Sequence, residues 1–202
     1  MALRFGNMFK NTKYKNVRMN TQNNNRNRNN NRNNNRNNNN NQVQIINKQI
    51  LKVRGRWGTP CWIFFHTLAE HIREEYYNNK YVDCLKIINR IISVIPCPVC
   101  KHHAINRMKN IKVSDLNTKD KLKIFFYEFH NEINKRNEQK VENISILDNY
   151  KLYNMKTVYL NFLNIFFKSY YAGSSLGVSH IRNNSKREIK KYFNDNWNIL
   201  FN

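Results

Sequence analysis

An all-α helix bundle is the fold class this sequence predicts, and three observations predict it. Apolar residues recur at steps of three and four in five separate windows, the period of helices with one buried face. The three prolines fall at helix boundaries: Pro60 and Pro98 where first helical residues belong, Pro96 where a helix must stop. Alternating strand patterns bounded by turn residues are weak throughout. At 202 residues the chain has room for one ordinary domain and its tails.

The first segment, 1–52, reads as a disordered, basic, Asn-rich tail. From Gln22 to Gln42 it is almost wholly asparagine with interspersed arginine, which cannot bury enough apolar surface to offset the entropy of ordering. Residues 1–56 hold thirteen Lys or Arg and no Asp or Glu, so they carry +13 of the net +22. The remainder has 35 − 13 = 22 basic against 13 acidic residues, or +9. Such a tail is drawn to polyanions, and one reading is an arm for RNA or membrane surfaces. The other is compositional drift, since Asn, Lys, Ile, Tyr and Phe are used heavily throughout; no specific nucleic-acid partner is expected. Met1–Asn20 is acid-free and carries Leu3, Phe5, Met8 and Phe9, a faint likeness to a mitochondrial presequence. No apolar h-region precedes a cleavage site, so Sec-type secretion is not expected. No transmembrane segment is expected either, because the longest apolar stretch, Val158–Tyr171, is interrupted by Asn161, Asn164 and Lys168.

A core is expected over 53–147. Thr59 can cap a first helix, with Pro60 at its first position, running to about Tyr77 with Trp62, Phe65, Leu68, Ala69 and Ile72 on one face. A second covers Lys80–Ile95 through Val82, Leu85, Ile88, Ile91 and Ile92, and Pro96 ends it. A third spans about 97–109, with Cys97 near its N-cap. A fourth runs from Lys119 to Asn137 on Leu122, Phe125, Phe126, Phe129 and Ile133. A helical C-terminal extension follows over 148–202. It comprises a fifth helix, Asp148–Tyr171, a breaker at Gly173–Gly177 and an amphipathic helix, Ser185–Leu200.

The chemistry concentrates in Cys97-Pro98-Val99-Cys100-Lys101-His102-His103. A C-x-x-C at a helix start serves either as a redox dithiol or as half a zinc site. The N-terminal N–H groups and macrodipole favour a Cys97 thiolate, which suits thiol–disulfide exchange. Zinc would need Cys97, Cys100 and a histidine, with a fourth ligand from Cys61, Cys84, His66 or His71. Spacing alone leaves both open, and also leaves open whether Cys61 and Cys84 are free or paired. A thioredoxin-like reading would need a βαβ context, for which strand signals are lacking.

Three motifs in order, W-G-x-x-x-W-x-x-x-H from Trp57, C-P-x-C-x-x-H-A from Cys97 and H-N-x-I-N from His130, break the tie. Over about Trp57–Lys140 the chain resembles the Erv/ALR family of FAD-linked sulfhydryl oxidases, most closely those of large nucleocytoplasmic DNA viruses. The resemblance implies a four/five-helix bundle of the Erv/ALR type holding FAD. It implies that Cys100 lies beside the flavin and that Cys97 is the outer cysteine. Gly58, Trp62, His66, His103, His130, Asn131 and Asn134 would then line the cofactor, and Lys140 would meet its phosphates. Where relatives carry Arg after the glycine, this chain has Thr59; Gln139 stands where they carry Lys, so Lys135 and Arg136 are alternative phosphate contacts. The implied reaction joins two thiols into a disulfide and reduces O2 to H2O2. Client protein thiols or a thioredoxin-like shuttle would supply the electrons, since this chain has no second C-x-x-C. A homodimer through the first two helices is implied. So is action in host cytoplasm or virus factory and in the virion, with the mitochondrial intermembrane space as the alternative.

Overall fold

A computed structural model describes residues 57–169 and 176–201; the Asn-rich tail lies outside them. The described residues form α-helices and 3-10 turns without a strand.

Helix α1 spans Gly58–His71. Its N-cap is Trp57, and Thr59 and Pro60 lie buried inside the first turn. Pro60 costs no hydrogen bond there, because first-turn N–H groups have no partner within the helix. The helix stops short of Tyr77: Ile72 and Arg73 are extended, at φ −59°, ψ 134° and φ −62°, ψ 132°. Neither residue is a helix breaker. The corner is made by tertiary contacts, with Ile72 fully buried and the Arg73 N–H donating to Leu200 O (2.8 Å) at the far end of the chain.

Helix α2, Glu74–Ser93, contains non-helical Lys80 (φ −131°, ψ 20°), where the pattern places the second helix's start. Helix α3 is Pro98–Met108, and a 3-10 turn at Val113–Leu116 leads to α4, Lys119–Arg136. Thr118 caps α4, its Oγ1 accepting from the Lys121 N–H at 3.3 Å. A 3-10 segment, Ile144–Leu152, precedes α5, Met155–Lys168, which Asn154 caps through the Thr157 N–H (2.9 Å). The single fifth helix expected from Asp148 is therefore divided at Tyr153, which is extended (ψ 135°). Helix α6, Leu176–Phe201, starts earlier than expected and runs straight through Gly177.

Helix α1 is the central element, packed between α4 and α5, while α2 packs on α3 and α6. The core is aromatic. Phe64 stacks on Phe162 (4.3 Å) and Phe65 on Phe126 (4.9 Å), and Phe193 of α6 meets Phe64 edge-on at 5.8 Å. Each buried ring contributes about 1.5–3 kcal/mol, so packing rather than helix propensity holds these elements.

Candidate active site

Cys97 and Cys100 are joined in a disulfide with their Cα atoms 5.2 Å apart. Pro98 starts α3 and Cys97 caps it, with extended backbone and Sγ accepting the Cys100 N–H at 3.2 Å. The helix thereby places one sulfur at its positive end. The two cysteines differ in exposure. Cys97 is half-buried and followed by exposed Pro98 and Val99, whereas Cys100 is 1% exposed. Cys100, buried Ala104 and Arg107 share the inward face of α3, at steps of four and three. Arg107 carries that face onto α4: its guanidinium lies over Phe125 and Phe129 (5.7 and 5.6 Å), and Nη1 donates to Glu132 Oε2 at 2.7 Å.

Phe129 in turn meets Trp62 edge-on, with centroids 5.4 Å apart. Trp62 stacks flat on His130, at 4.3 Å and 7°. His130 Nδ1 and His66 Nε2 are 3.1 Å apart, so one donates and the other accepts. His66 stacks on Tyr150 (4.6 Å, 17°). The order Trp62, His130, His66, Tyr150 is thus a continuous run of flat rings between α1, α4 and the second 3-10 segment. Burial holds both imidazoles neutral, below their ordinary range, and for His66 the neighbouring His130 adds to the effect. His66 Nδ1 is buried, and no described residue offers it a hydrogen bond.

The other expected residues are placed as follows. Asn131 spends its carboxamide on the backbone of Glu142: Nδ2 donates to the carbonyl and Oδ1 accepts the N–H, both at 2.9 Å. It clamps the strap after α4. Asn134 is one turn on, its Nδ2 at 3.4 Å from Asn131 Oδ1. Lys140 is exposed and pairs with Glu142 at 2.9 Å. Gly58 begins α1, one turn before Trp62, and His103 is half-buried on α3 beside His102. Periodicity missed Tyr150 and Arg107. Tyr150 lies outside any helical face, and Arg107 reads as an ordinary surface arginine.

Cys61 and Cys84 are buried free thiols whose burial raises their pKa, that of Cys84 to about 11. Among the described residues no three metal-binding side chains converge. The sulfurs of the motif are instead bonded to each other.

These residues fit a flavin nucleotide. They offer flat rings for a flat cofactor and a buried imidazole nitrogen with its hydrogen bond unspent. Beside Asn131 is a cleft of about 450 Å³ lined in part by Arg107, Tyr127, Glu132 and Lys135. Residues 59–157 match the model of the Erv1 / Alr family. Two FAD-linked sulfhydryl oxidases, from two isolates of African swine fever virus, are each 26% identical over 85 residues, covering 42% of this chain and 71% of theirs. No solved structure matches the chain. With its C-x-x-C disulfide and its Trp–His ring run both inside the matched stretch, this chain is similar to the Erv1/Alr family over residues 59–157.

Proposed function

We propose that this chain is an FAD-linked thiol oxidase that makes disulfides in other proteins. The observation that carries the reading is the asymmetric disulfide at the start of α3, one sulfur reachable and one enclosed. A client thiolate attacks Cys97 Sγ, the Cys97–Cys100 bond breaks, and Cys100 leaves as a thiolate. The client's second thiolate attacks the mixed disulfide, releasing oxidised client and leaving both cysteines reduced by two electrons. The N–H of Cys100 stabilises the Cys97 thiolate as it forms. Bound FAD would supply the acceptor for this electron pair and its route to O2, with H2O2 as product. Trp62, His66 and His130 would hold its rings, with Gly58, His103, Asn131 and Asn134 nearby. Lys140, Lys135 or Arg136 would meet its phosphates. A dithiol shuttle protein or the client itself is the electron donor.

The test is the visible spectrum of the purified full chain together with its oxygen uptake on dithiothreitol. A yellow protein that consumes oxygen is expected. Cys100→Ser should keep the flavin and lose turnover to background; full turnover would refute the assigned role. Trp62→Ala should lower flavin content several-fold, and unchanged content would exclude the ring role.

Two viral relatives support a viral setting, with action in host cytoplasm or factory and carriage in the virion; cell fractionation during infection tests it. Homodimerisation has its support on α2, where Val82 is exposed and Tyr81 and Ile87 are half-buried. Helix α1 offers little such face, because α4 and α5 enclose it. Light scattering at two concentrations decides it.

A further inference from the structure

Arg182 of α6 is 5% exposed and lies in a part of the chain beyond the family match. Its guanidinium reaches the ends of two other helices. Nη1 donates to the carbonyl of Val94, the C-cap of α2; Nη2 donates to Phe166 O (2.6 Å) and Ser169 O (3.2 Å) at the end of α5. Its cation lies over Phe166 (5.3 Å) and Phe167 (5.5 Å). Carbonyls at helix C-termini have no partner within their own helix and gather the negative end of the macrodipole. A buried planar cation with several donors answers two such ends at once, as a lysine's single point of charge would not.

The consequence lies three residues on. Val94, Ile95 and Pro96 form a short buried strap between α2 and α3, and the next residue is Cys97. We propose that Arg182 is a positioning residue for the Cys97–Cys100 pair: by fastening Val94 O to the end of α5, it fixes the strap that presents Cys97. The proposal rests on the thiol-oxidase reading for its role in turnover, but not for its effect on the disulfide itself. A fixed strap keeps the two sulfurs at a high effective concentration towards each other and so favours the closed disulfide. A loosened strap lowers that concentration and also lets Cys97 turn away from the α3 N-terminus.

The experiment uses the full chain and equilibrates Cys97–Cys100 against glutathione, with thiol alkylation as readout. It needs neither flavin nor oxygen. Arg182→Met should lower the equilibrium constant for disulfide formation about tenfold, equivalent to about 30 mV towards a more oxidising couple. Its reaction with dithiothreitol should slow by a similar factor, with far-UV circular dichroism unchanged. Arg182→Lys, which keeps the charge but not the fork, should fall between parent and Arg182→Met. Ile189→Val thins α6 packing about two turns along the helix from Arg182; it should lower the melting temperature and leave the equilibrium constant alone. If folded Arg182→Met stays within twofold of the parent on both readouts, or Ile189→Val moves the constant as far, the proposal is overturned. Should Arg182→Met fail to fold, Arg182→Lys decides by the same twofold limit. A colourless parent that consumes no oxygen with dithiothreitol would sink the oxidase reading and leave this test standing.

Discussion

His66 and His130 illustrate how a single residue's surroundings set its chemistry. Their ring nitrogens are 3.1 Å apart, so protonating both would place two cations in contact in a buried site. Both folded-state pKa values lie below 6.5, His66 from burial and then from His130, His130 from burial. In the unfolded chain both imidazoles take up protons as pH falls through about 6.5, while the folded chain takes up none until much lower pH. Their contribution to stability is therefore complete above about pH 6.5 and is lost as pH falls towards the folded values. Each group adds up to about 1.4 kcal/mol per pH unit to that slope. His66→Gln should flatten the fall of unfolding free energy between about pH 6 and pH 4.5, relative to the parent. Denaturant titrations at several pH values check it, and parallel slopes would count against the shared-proton pair. The same scale explains the redox pair. Cys97 and Cys100 are identical residues three apart, and burial alone makes one reachable and the other enclosed.

At the scale of elements, caps and breaks decide where side chains land. Helix α4 ends in a Schellman motif: Gln139 N–H reaches Asn134 O (2.7 Å) and Glu138 N–H reaches Lys135 O (3.2 Å). The left-handed residue this needs is Glu138, at φ 54°, where glycine is the usual choice. Glu138 is exposed, so its Cβ is the main cost, about 1 kcal/mol. Glu138→Gly should raise the melting temperature by about 2–4 °C; a decrease seen by calorimetry would argue that the residue makes compensating contacts. The motif also turns the chain so that Glu142 meets Asn131, which fixes the strap bearing Lys140. The helices with strong stripes, α4 above all, were legible in the pattern, and so was Cys97 at the start of α3. The break at Ile72–Arg73 was not. It carries no glycine or proline, and its cause is a hydrogen bond to Leu200, 127 residues away by 200 − 73.

For the molecule as a whole, α6 completes the core that the matched family segment begins. Ile189, Phe193 and Leu200 are fully buried, and Phe193 and Trp197 lie against Tyr159 of α5 at 4.9 and 5.5 Å. At about 1.5–3 kcal/mol each, the three buried chains represent about 5–9 kcal/mol, comparable with the whole stability of an ordinary domain. A chain ending at Ser169 should therefore lose its cooperative thermal transition. A sharp transition at the parent's melting temperature would show that 57–169 stands alone. Determined by sequence alone are the helical class, the redox motif and the identity of the Trp–His and His–Asn pairs. These depend on periodicity and on residues within a turn of one another, where local geometry is nearly fixed. Decided only in three dimensions are the pairing of His66 with His130, the arrival of Tyr150 beside them, the clamp of Asn131 on Glu142 and the reach of Arg182 to Val94. Each joins segments separated along the chain, and no local propensity encodes which buried groups will find one another. That is settled when one core encloses them and buried polar groups pair with whatever partners it brings within reach.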